Sequence, residues 1–545
     1  NSFSELYSFD NNMKYFSIKY LINFLVAFVF LTPIVMIFSK GLISAFTLEE
    51  NVYLSRYISG TLIIIIFVAL IVLAISVPLA WITTMTEFKG RRLIQILAIL
   101  PLAVPGYISA YTYAEILEPS GFISQFLSYM GIDFIGISIR NYFFGSIILG
   151  LSLFPYVYLL TRISIINLSA RYIEAGRTIG KSPYECFFRI GIPMSAPGII
   201  AGLALALMET INDFGVASFF GLNTLSLGIY NYISILNNLN AAFFLSFVVI
   251  IMMILLYITE HKIRGQKNFH NSNYEFLSWT RYKLSKTKSN LAFYISLIPI
   301  TLGYFIPVLF TIYMFINNIH KINYENFFQS LFNTLMIGLV VAIFCGVLSI
   351  LFNFSGRFSK GKFFLYLKKI INTGYAVPGV VVALGVIYFM INVDKLLVLL
   401  SFDRIVISST IIGLVLALSI RLISLSNNSI DSGLEKISKS IDDASRLMGR
   451  RYSTTYFRVI LPQINMSIIA GIFLVMVDTM KELPITLLLR PFNFDTLATE
   501  LFQYSSSESV ELGSLHAFTI IIFLTIAVFL IDYILEKKIT KKIRN

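Results

Sequence analysis

Cysteine and charge are both scarce in this chain of 545 residues. The two cysteines, Cys186 and Cys345, lie far apart and neither has a second cysteine at a metal-ligand spacing. The sequence therefore predicts neither a disulfide framework nor a zinc-thiolate site. Charged residues make up 13% of the chain and hydrophobic residues 57%, with a mean hydropathy of +0.79. This composition lies outside the soluble range and indicates a polytopic membrane protein.

Twelve apolar stretches are long enough to cross a membrane, which takes about 20 helical residues at about 1.5 Å each. No small-residue cleavage site precedes the first stretch, so we expect it to remain as a spanning helix. The sequence thus predicts an all-α membrane protein. The predicted spans are residues 20–38, 58–82, 93–117, 142–166, 193–218, 241–258, 293–316, 331–353, 370–391, 405–426, 462–488 and 515–535.

Lysine and arginine are unevenly distributed between alternate connections. Most of the 42 basic residues lie on the side of the membrane that both termini would share. Because basic residues mark the cytoplasmic side, the sequence predicts that both termini are cytoplasmic. The net charge of +13 follows from the same bias and gives no support to nucleic-acid binding.

The two sets of six spans are copies of each other. Residues 174–193 (EAGRTIGKSPYECFFRIGIP) match residues 443–462 (DASRLMGRRYSTTYFRVILP) at an offset of 269, sharing an alanine, an arginine, a glycine, a Phe-Arg pair and a proline. The AVPG stretch at 103–106 recurs at 376–379. Together with Pro101, the prolines of these stretches, Pro105 and Pro378, predict bends in spans three and nine.

Shorter matches extend the duplication in both directions. They pair Thr61-Leu62 with Thr334-Leu335, Ala201-Gly202 with Ala470-Gly471, and Glu209-Thr210 with Asp478-Thr479. Because both copies start in the same sense across the membrane, the sequence predicts two parallel six-helix repeats. The predicted organisation is a first repeat over residues 1–265, a cytoplasmic linker over 266–290 and a second repeat over 291–545.

The segment GRTIGKS (176–182) has a superficial likeness to a phosphate-binding loop. It has three residues between its glycines where such a loop needs four. The second copy, GRRY at 449–452, keeps the glycine and lacks the lysine and serine. A feature that the two copies share cannot be phosphate binding, so nucleotide binding by this chain is not predicted.

Both copies instead predict a rigid elbow, at residues 169–193 and 438–462. Ser169 or Ser438 can cap a short helix whose early turns hold Glu174 or Asp443. Gly180 or Gly449 permits the positive-φ residue that ends this helix. In the first copy, SPYE at 182–185 predicts a capping box with proline at the first helical position. An amphipathic turn with no partner is the alternative, and the duplication favours a docking role.

The spacing of these loops resembles the signature loop of ABC importer permeases, which reads Glu-Ala-Ala, three residues, Gly, nine residues, Ile-x-Leu-Pro. The departures are Gly176 and Ser445 at the second alanine and Asp443 at the glutamate. The resemblance implies a type I permease fold with both repeats in one chain, in a bacterial inner membrane. It also implies docking of the loops on a homodimer of separate ATP-binding subunits, which hold ATP and magnesium. The residues it assigns to this coupling are Glu174, Ala175, Gly180, Asp443, Ala444 and Gly449.

Three further stretches, residues 99–113, 212–230 and 480–498, resemble the ferric iron branch of these permeases. That resemblance implies import of ferric iron delivered by a periplasmic binding protein, with no enzymatic activity and no bound cofactor in this chain. Import of another small solute such as thiamine is the alternative within the class. A secondary transporter or a membrane scaffold or channel are the alternatives outside it, and neither requires duplicated docking elbows.

Four acids are the candidate contacts for the transported metal. Glu209 and Asp478 occupy matching positions in spans five and eleven, and Asp213 and Glu482 follow four residues later, on the same face of a continuous helix. Iron(III) is a hard cation that prefers oxygen donors, so the four carboxylates predict an acidic ring around the axis. Gating or structural pairing is the alternative, for example between Lys481 and Glu482.

Overall fold

The computed structural model describes residues 28–46, 53–134, 136–166, 170–265, 281–358, 374–400 and 410–544, with isolated positions at 364, 367–368, 371–372 and 406–408. Eleven helical segments in this part of the chain are long and apolar enough to cross a membrane, and one bent helix pair makes a twelfth if it is a single span. In chain order they are Phe28–Phe46, Leu54–Met85, the bent pair Arg91–Ala103 and Gly106–Tyr129, Tyr142–Ser164, Pro183–Asn212, Leu239–Ile263, Lys286–Asn318, Tyr324–Arg357, Gly379–Leu399, Ile411–Leu434, Tyr452–Lys481 and Val510–Leu530.

The twelve predicted spans correspond in order to these segments, which confirms an all-α membrane protein. The first described helix begins at Phe28, so the start of the predicted first span lies outside the described residues. The shorter helices are Phe122–Tyr129, Ala170–Thr178, Gly215–Phe220, Leu225–Ser234, Lys439–Leu447, Pro484–Leu489 and Leu497–Ser506, and two two-residue strands, Thr86–Glu87 and Tyr282–Lys283, pair in parallel.

Proline breaks the third span. The helices on either side of Val104–Pro105 are bent by 91°. Proline disfavours a helical conformation in the residue before it, and Val104 is extended. Pro378 likewise directly precedes the helix Gly379–Leu399 in the second repeat. The predicted bend in span three is confirmed, as a break between two helices and not a kink in one helix.

Two compact units divide the chain, and they do not follow the two sequence halves. Unit I contains Asn1–Leu48, Ile233–Phe247 and Phe328–Thr499. Unit II contains Glu49–Tyr232, Val248–Phe327 and Glu500–Asn545. The repeat boundaries at 265 and 291 remain a sequence-based prediction.

Within each unit, repeat-related residues make repeat-related contacts. In unit II the backbone at Gly202 lies so close to Val157 that a Cβ on the glycine would be 2.6 Å from the Val157 Cα. In unit I the matching Gly471 would place a Cβ 3.1 Å from the Cα of Ser426. Small residues allow this close approach of membrane helices, which associate by packing. The Ala-Gly pair thus marks where span five meets span four, and span eleven meets span ten.

A second contact is duplicated in the same way. The Thr61 hydroxyl accepts a hydrogen bond from the Leu225 amide at 2.9 Å in unit II. The Thr334 hydroxyl accepts one from the Leu497 amide at 2.8 Å in unit I. Each bond satisfies an amide at the start of a helix that follows a broken span. The duplication read from the sequence is therefore present in the contacts as well.

Candidate coupling elbows and intramembrane junctions

The first elbow is residues 170–193. Its helix Ala170–Thr178 ends at Gly180, which has a φ of 78°. The Gly180 amide donates to the Arg177 carbonyl at 3.0 Å, and the Lys181 amide donates to the Gly176 carbonyl at 3.1 Å. This pair of bonds is a Schellman motif, which needs a left-handed residue at its centre. The predicted helix end is confirmed, and Ser169, the predicted cap, lies outside the described residues.

The second helix of the first elbow starts at Pro183, three residues after Gly180. The Ser182 hydroxyl accepts from the Glu185 amide at 3.2 Å, and the Glu185 carboxylate accepts from the Ser182 amide at 3.2 Å. With Pro183 at the first helical position, this is the predicted capping box. The chain then passes through a π-helical turn, Phe187–Gly191, directly into the spanning helix Ile192–Asn212. The elbow and span five are therefore continuous.

The second elbow, residues 438–464, repeats this construction. The Ser438 hydroxyl accepts from the Ser440 amide at 3.2 Å and caps the helix Lys439–Leu447, as predicted. Gly449 has a φ of 75°, and a Schellman motif joins its amide to Arg446 and the Arg450 amide to Ser445. A π-helical turn, Thr455–Ile460, again leads towards the spanning helix, Asn465–Lys481.

Two of the three departures from the signature, Gly176 and Ser445, are buried inside the elbows. A Cβ on Gly176 would lie 2.7 Å from the Ile190 side chain, and the Ser445 hydroxyl contacts the Thr455 hydroxyl at 2.8 Å. Both positions hold the two helices of an elbow together, so a small residue is sufficient there. Ala175 and Ala444, in contrast, are exposed.

Large apolar side chains surround the two glycines on the outside of the elbows. Ile179 is 75% exposed and Tyr184 is 71% exposed in the first elbow. In the second, Leu447 is 90% and Met448 74% exposed. We call these residues, with Ala175, Ala444 and the two glycines, the elbow surface. Sequence reasoning missed its apolar character, although Ile179 and Met448 occupy matching repeat positions and could have indicated it.

An ion pair anchors the second elbow. The Arg357 Nε donates to the Asp442 carboxylate at 2.9 Å, and the two side chains are only 7% and 11% exposed. The same guanidinium donates to the carbonyls of Leu434 and Ile437 at 3.1 and 3.2 Å. Arg357 therefore fastens the end of span eight to the connection that enters the elbow.

We expect Arg357→Met to lower the stability of the second elbow by about 3 to 5 kcal/mol, because it leaves the Asp442 carboxylate buried without its cation. Limited proteolysis in detergent should show faster cleavage between residues 438 and 464. Cleavage of the first elbow, which has isoleucine at the position that matches Asp442, serves as the internal control. Unchanged cleavage of the second elbow would mean that Arg357 does not anchor it.

The prediction that the two acids of each repeat lie on one face of a continuous helix is wrong. The helices of spans five and eleven end at Asn212 and Lys481, and the next residues, Asp213 and Glu482, have extended backbone. Glu209 and Asp213 are therefore not one turn apart on a continuous helix, nor are Asp478 and Glu482. The i+4 interpretation failed because it assumed that the helix continued through the acid.

Asp213 and Glu482 instead begin the short helix that follows each break. The Asp213 carboxylate accepts from the Ala217 amide at 3.2 Å, at the start of Gly215–Phe220. The Glu482 carboxylate accepts from the Ile485 amide at 3.4 Å, at the start of Pro484–Leu489. A carboxylate near a helix N-terminus is stabilised by free amides and the helix dipole. The two repeats use the acid in the same structural way.

In unit I the acid is also neutralised by a cation. The Arg421 Nη1 lies 2.6 Å from the Glu482 Oε2, and the side chains are 6% and 9% exposed. A Cβ on Gly379 would lie 2.6 Å from Glu482 Oε1 and 2.8 Å from Arg421 Nη1. The bend in span nine, the middle of span ten and the break in span eleven therefore meet at one buried ion pair. We call this meeting point the unit I junction.

Unit II has the corresponding junction without the arginine. A Cβ on Gly106 would lie 3.2 Å from the side chains of Leu149 and Val216, and 3.9 Å from Asp213 Oδ1. Val216 matches Ile485, which lies beside Gly379, and Leu149 lies beside Gly106. The same junction is thus charged in one repeat and largely apolar in the other.

The other two acids, Asp478 and Glu209, also differ in their charged neighbours. Asp478 pairs with Lys481 at 2.7 Å, so this lysine contacts Asp478 as well as preceding Glu482 in the sequence. In unit II, Glu209 repels the Asp213 carboxylate. Among the described residues no group of three or more His, Cys, Asp and Glu side chains could hold a metal ion. The four-acid ring would join the two units, and it remains a prediction.

These features define a class of protein. A multi-pass helical chain with an internal duplication, a broken span in each repeat and a matched elbow running into a spanning helix is a membrane transport permease, not a catalytic enzyme. The chain belongs to the family of binding-protein-dependent transport system inner membrane components, whose model matches residues 76–264 and again residues 338–541. One match falls in each predicted repeat, so the chain is a two-repeat permease of the ABC importer class.

Relatives of known name lie in several transport systems. The chain is 23% identical over 513 residues to the Fe(3+)-transport system permease protein FbpB 2 of Haemophilus influenzae, covering 92% of this chain and 94% of the relative. It is 30% identical over 168 residues to the molybdenum transport system permease protein ModB of the same organism, covering 30% and 72%. It is 30% identical over 218 residues to the spermidine/putrescine transport system permease protein PotB of Escherichia coli, covering 37% and 78%.

Proposed function

We propose that this chain is the permease subunit of an ATP-driven importer and that its two elbow surfaces dock on ATP-binding subunits. The observation that carries the proposal is the pair of glycine-ended elbows, each exposing large apolar side chains such as Ile179 and Met448. An exposed apolar patch rimmed by polar residues is typical of a protein interaction site. The matching geometry of the two elbows suits two copies of one partner, a homodimer.

The same proposal implies an orientation of the chain in the membrane. The elbow surfaces and both termini are cytoplasmic, as the distribution of basic residues predicts. ATP and magnesium then bind to the partner subunits, and this chain holds no cofactor. A periplasmic binding protein delivers the solute at the opposite face, in keeping with the binding-protein-dependent family.

Coupling follows from the continuity of each elbow with a span. Closure of the ATP-binding dimer acts on the elbow surfaces, and the helices Ile192–Asn212 and Asn465–Lys481 transmit the displacement to the two junctions. The breaks at Asp213 and Glu482 are where a rigid helix gives way to extended backbone. Because coupling between two sites is reciprocal, a docked binding protein should in turn promote ATP binding by the dimer.

We propose ferric iron as the solute. The support is the likeness to FbpB 2 over 92% of the chain, against about a third for the molybdenum and polyamine relatives. The acids near the breaks offer the oxygen donors that a hard cation prefers. Glu209 and Asp213 are the better candidates for contact with iron, because Asp478 and Glu482 already pair with Lys481 and Arg421.

We expect the double variant Glu209→Gln, Asp213→Asn to reduce iron uptake about tenfold, the effect of losing roughly 1.4 kcal/mol of binding. Asparagine keeps an oxygen that can accept from the Ala217 amide, so the short helix should persist. The matched control is Asp478→Asn with Lys481→Met. It removes an ion pair without changing the net charge and should leave uptake within about twofold of wild type. Equal losses in the two variants would remove the first-repeat acids from the iron path.

The solute is tested by competition. Cells that express the chain with its transport system would take up radioactive ferric iron in the presence of excess molybdate, spermidine or thiamine. The proposal requires uptake that none of these solutes reduces. Uptake of labelled thiamine with no uptake of iron would contradict iron as the solute, although the chain would still be an importer permease.

A further inference from the structure

The end of the linker between the repeats forms part of the first elbow. Residues Tyr282–Lys283 form a parallel strand pair with Thr86–Glu87, which follows span two. Beside them, the Arg281 Nε donates to the Thr84 carbonyl at 3.3 Å, and the Lys89 amide donates to the Ser289 hydroxyl at 3.1 Å. The linker end is thus fixed along the span two connection by backbone and side-chain contacts.

Tyr282 extends from this strand to the elbow itself. The guanidinium of Arg177 lies 4.5 Å from the centre of the Tyr282 ring. The Tyr282 ring also lies 6.5 Å from the ring of Trp81, which in turn lies 5.1 Å from Phe187 in the elbow. A Cβ on Gly191 would come within 2.7 Å of Trp81, so that indole lies directly against the π-helical turn. The linker, span two and the first elbow therefore share one aromatic cluster.

In the second elbow, the corresponding arginine contacts an aromatic ring of the same elbow. Arg446, which matches Arg177, lies 4.5 Å from the centre of the Tyr452 ring. The residue that matches Tyr452 in the first elbow is Pro183, which begins the second helix and offers no aromatic ring. In the first elbow, the linker supplies an aromatic ring for the arginine from about a hundred residues further along the chain.

We propose that Tyr282 is a positioning residue for the first elbow, so that the linker completes this elbow as well as joining the repeats. The proposal rests on the proposed docking of the elbows. An arginine over an aromatic face is held by the ring quadrupole, and the planar guanidinium suits this stacking better than lysine would. Burial raises the pKa of the Tyr282 phenol.

The consequence is an asymmetry in coupling. When the ATP-binding dimer closes, the first elbow moves with span two and the linker end, because Tyr282 and Trp81 join them. The second elbow moves with span eight, through Arg357 and Asp442. A change at Tyr282 should therefore weaken transmission through the first elbow and leave the second unchanged.

The test compares Tyr282→Leu with Tyr282→Phe in the full chain, purified with its ATP-binding subunits and reconstituted with the binding protein and ferric iron. We expect Tyr282→Leu to raise the number of ATP molecules hydrolysed per iron imported at least threefold, with the complex intact. Tyr282→Phe keeps the ring and should restore the wild-type ratio. Tyr294→Leu, at an exposed tyrosine on the helix Lys286–Ile300, is the matched control and should leave the ratio unchanged.

A double-mutant cycle identifies the partner. Arg177→Met should raise the ratio as Tyr282→Leu does, and the double variant should raise it by less than the two single effects combined, because the Arg177–Tyr282 contact is lost in both single variants. An unchanged ratio in Tyr282→Leu, or additive effects in the cycle, would overturn the proposal. Failure of the wild-type chain to retain any ATP-binding subunit would instead contradict the proposed function, so the two failures are distinguishable.

Discussion

Replacing Gly180 and Gly449 together by aspartate is expected to leave a folded membrane protein that no longer retains ATP-binding subunits on purification. Neither glycine has an atom within 4 Å of the position of a Cβ, so the new side chains would meet no steric obstacle within the chain. Aspartate tolerates the left-handed backbone of a helix end better than most residues. Each carboxylate would, however, lie within an apolar elbow surface that docking removes from water. An unpaired buried charge costs several kcal/mol, so we expect affinity to fall more than about a hundredfold.

The matched control for this variant is Gly131→Asp. Gly131 also ends a helix in a Schellman motif, with a φ of 78° and no atom within 4 Å of a Cβ position. It follows the helix Phe122–Tyr129, outside both elbows. The substitution therefore introduces the same charge and the same backbone demand away from the docking surface, and ATP-binding subunits should be retained. Loss of the subunits in both variants would show a general effect on folding and would contradict a specific role for the elbow glycines.

The second large effect is expected at Arg421. Arg421→Met would leave the Glu482 carboxylate buried in the unit I junction without its cation, at a cost of about 3 to 5 kcal/mol. Thermal unfolding in detergent should show a clear fall in the midpoint. The double variant Arg421→Met, Glu482→Gln should recover most of that loss, because glutamine still accepts from the Ile485 amide and carries no charge.

Leu149 provides the control for the Arg421 variant. Its side chain lies beside Gly106 at the corresponding junction of unit II. Leu149→Met conserves volume and should cost less than about 1.5 kcal/mol. If Arg421→Met lowered the midpoint no more than Leu149→Met does, the ion pair would not hold the unit I junction together.

Local chemistry explains why the elbows could be predicted from the sequence. The capping residues Ser182, Glu185 and Ser438 act on amides within three residues, and Gly180 and Gly449 act through their own backbone. Signals of this kind lie within one turn of the chain, so a motif is sufficient to identify them. The internal duplication provided two copies of the glycine signal, and in both copies the helix ends at the predicted glycine.

The parts that the sequence did not reveal depend on contacts between distant residues. Arg421 stands out as an arginine in the apolar run LALSIRLISL, and an ionisable residue inside a span demands a partner. Its partner, Glu482, lies 61 residues away and could not be chosen from spacing alone. The break after Asn212 and Lys481 was missed because apolar sequence resumes directly after it, FGVASFF in the first repeat and LPITLLL in the second, so that each predicted span extended through it. Tyr282 was missed because its strand pairs with residues in the first repeat.

The duplicated sequence also concealed a difference between the repeats. In the alignment of the two repeats, Asp213 corresponds to Glu482 and Gly106 corresponds to Gly379, which predicts equivalent sites. The structure gives one of these sites an arginine and the other a leucine. Two junctions with the same backbone plan therefore have different charge, and we expect them to contribute differently to passage of a cation.

The most direct measurement is uptake of radioactive ferric iron by iron-starved cells that lack this gene and carry either the wild-type chain, Gly131→Asp, or Gly180→Asp with Gly449→Asp. The account predicts that wild type and Gly131→Asp restore uptake, that excess thiamine leaves it unchanged, and that the double-glycine variant gives no uptake although it is present in the membrane. Uptake by the double-glycine variant equal to wild type would contradict coupling through the elbows. Absence of uptake with the wild-type chain in the membrane would contradict iron as the solute.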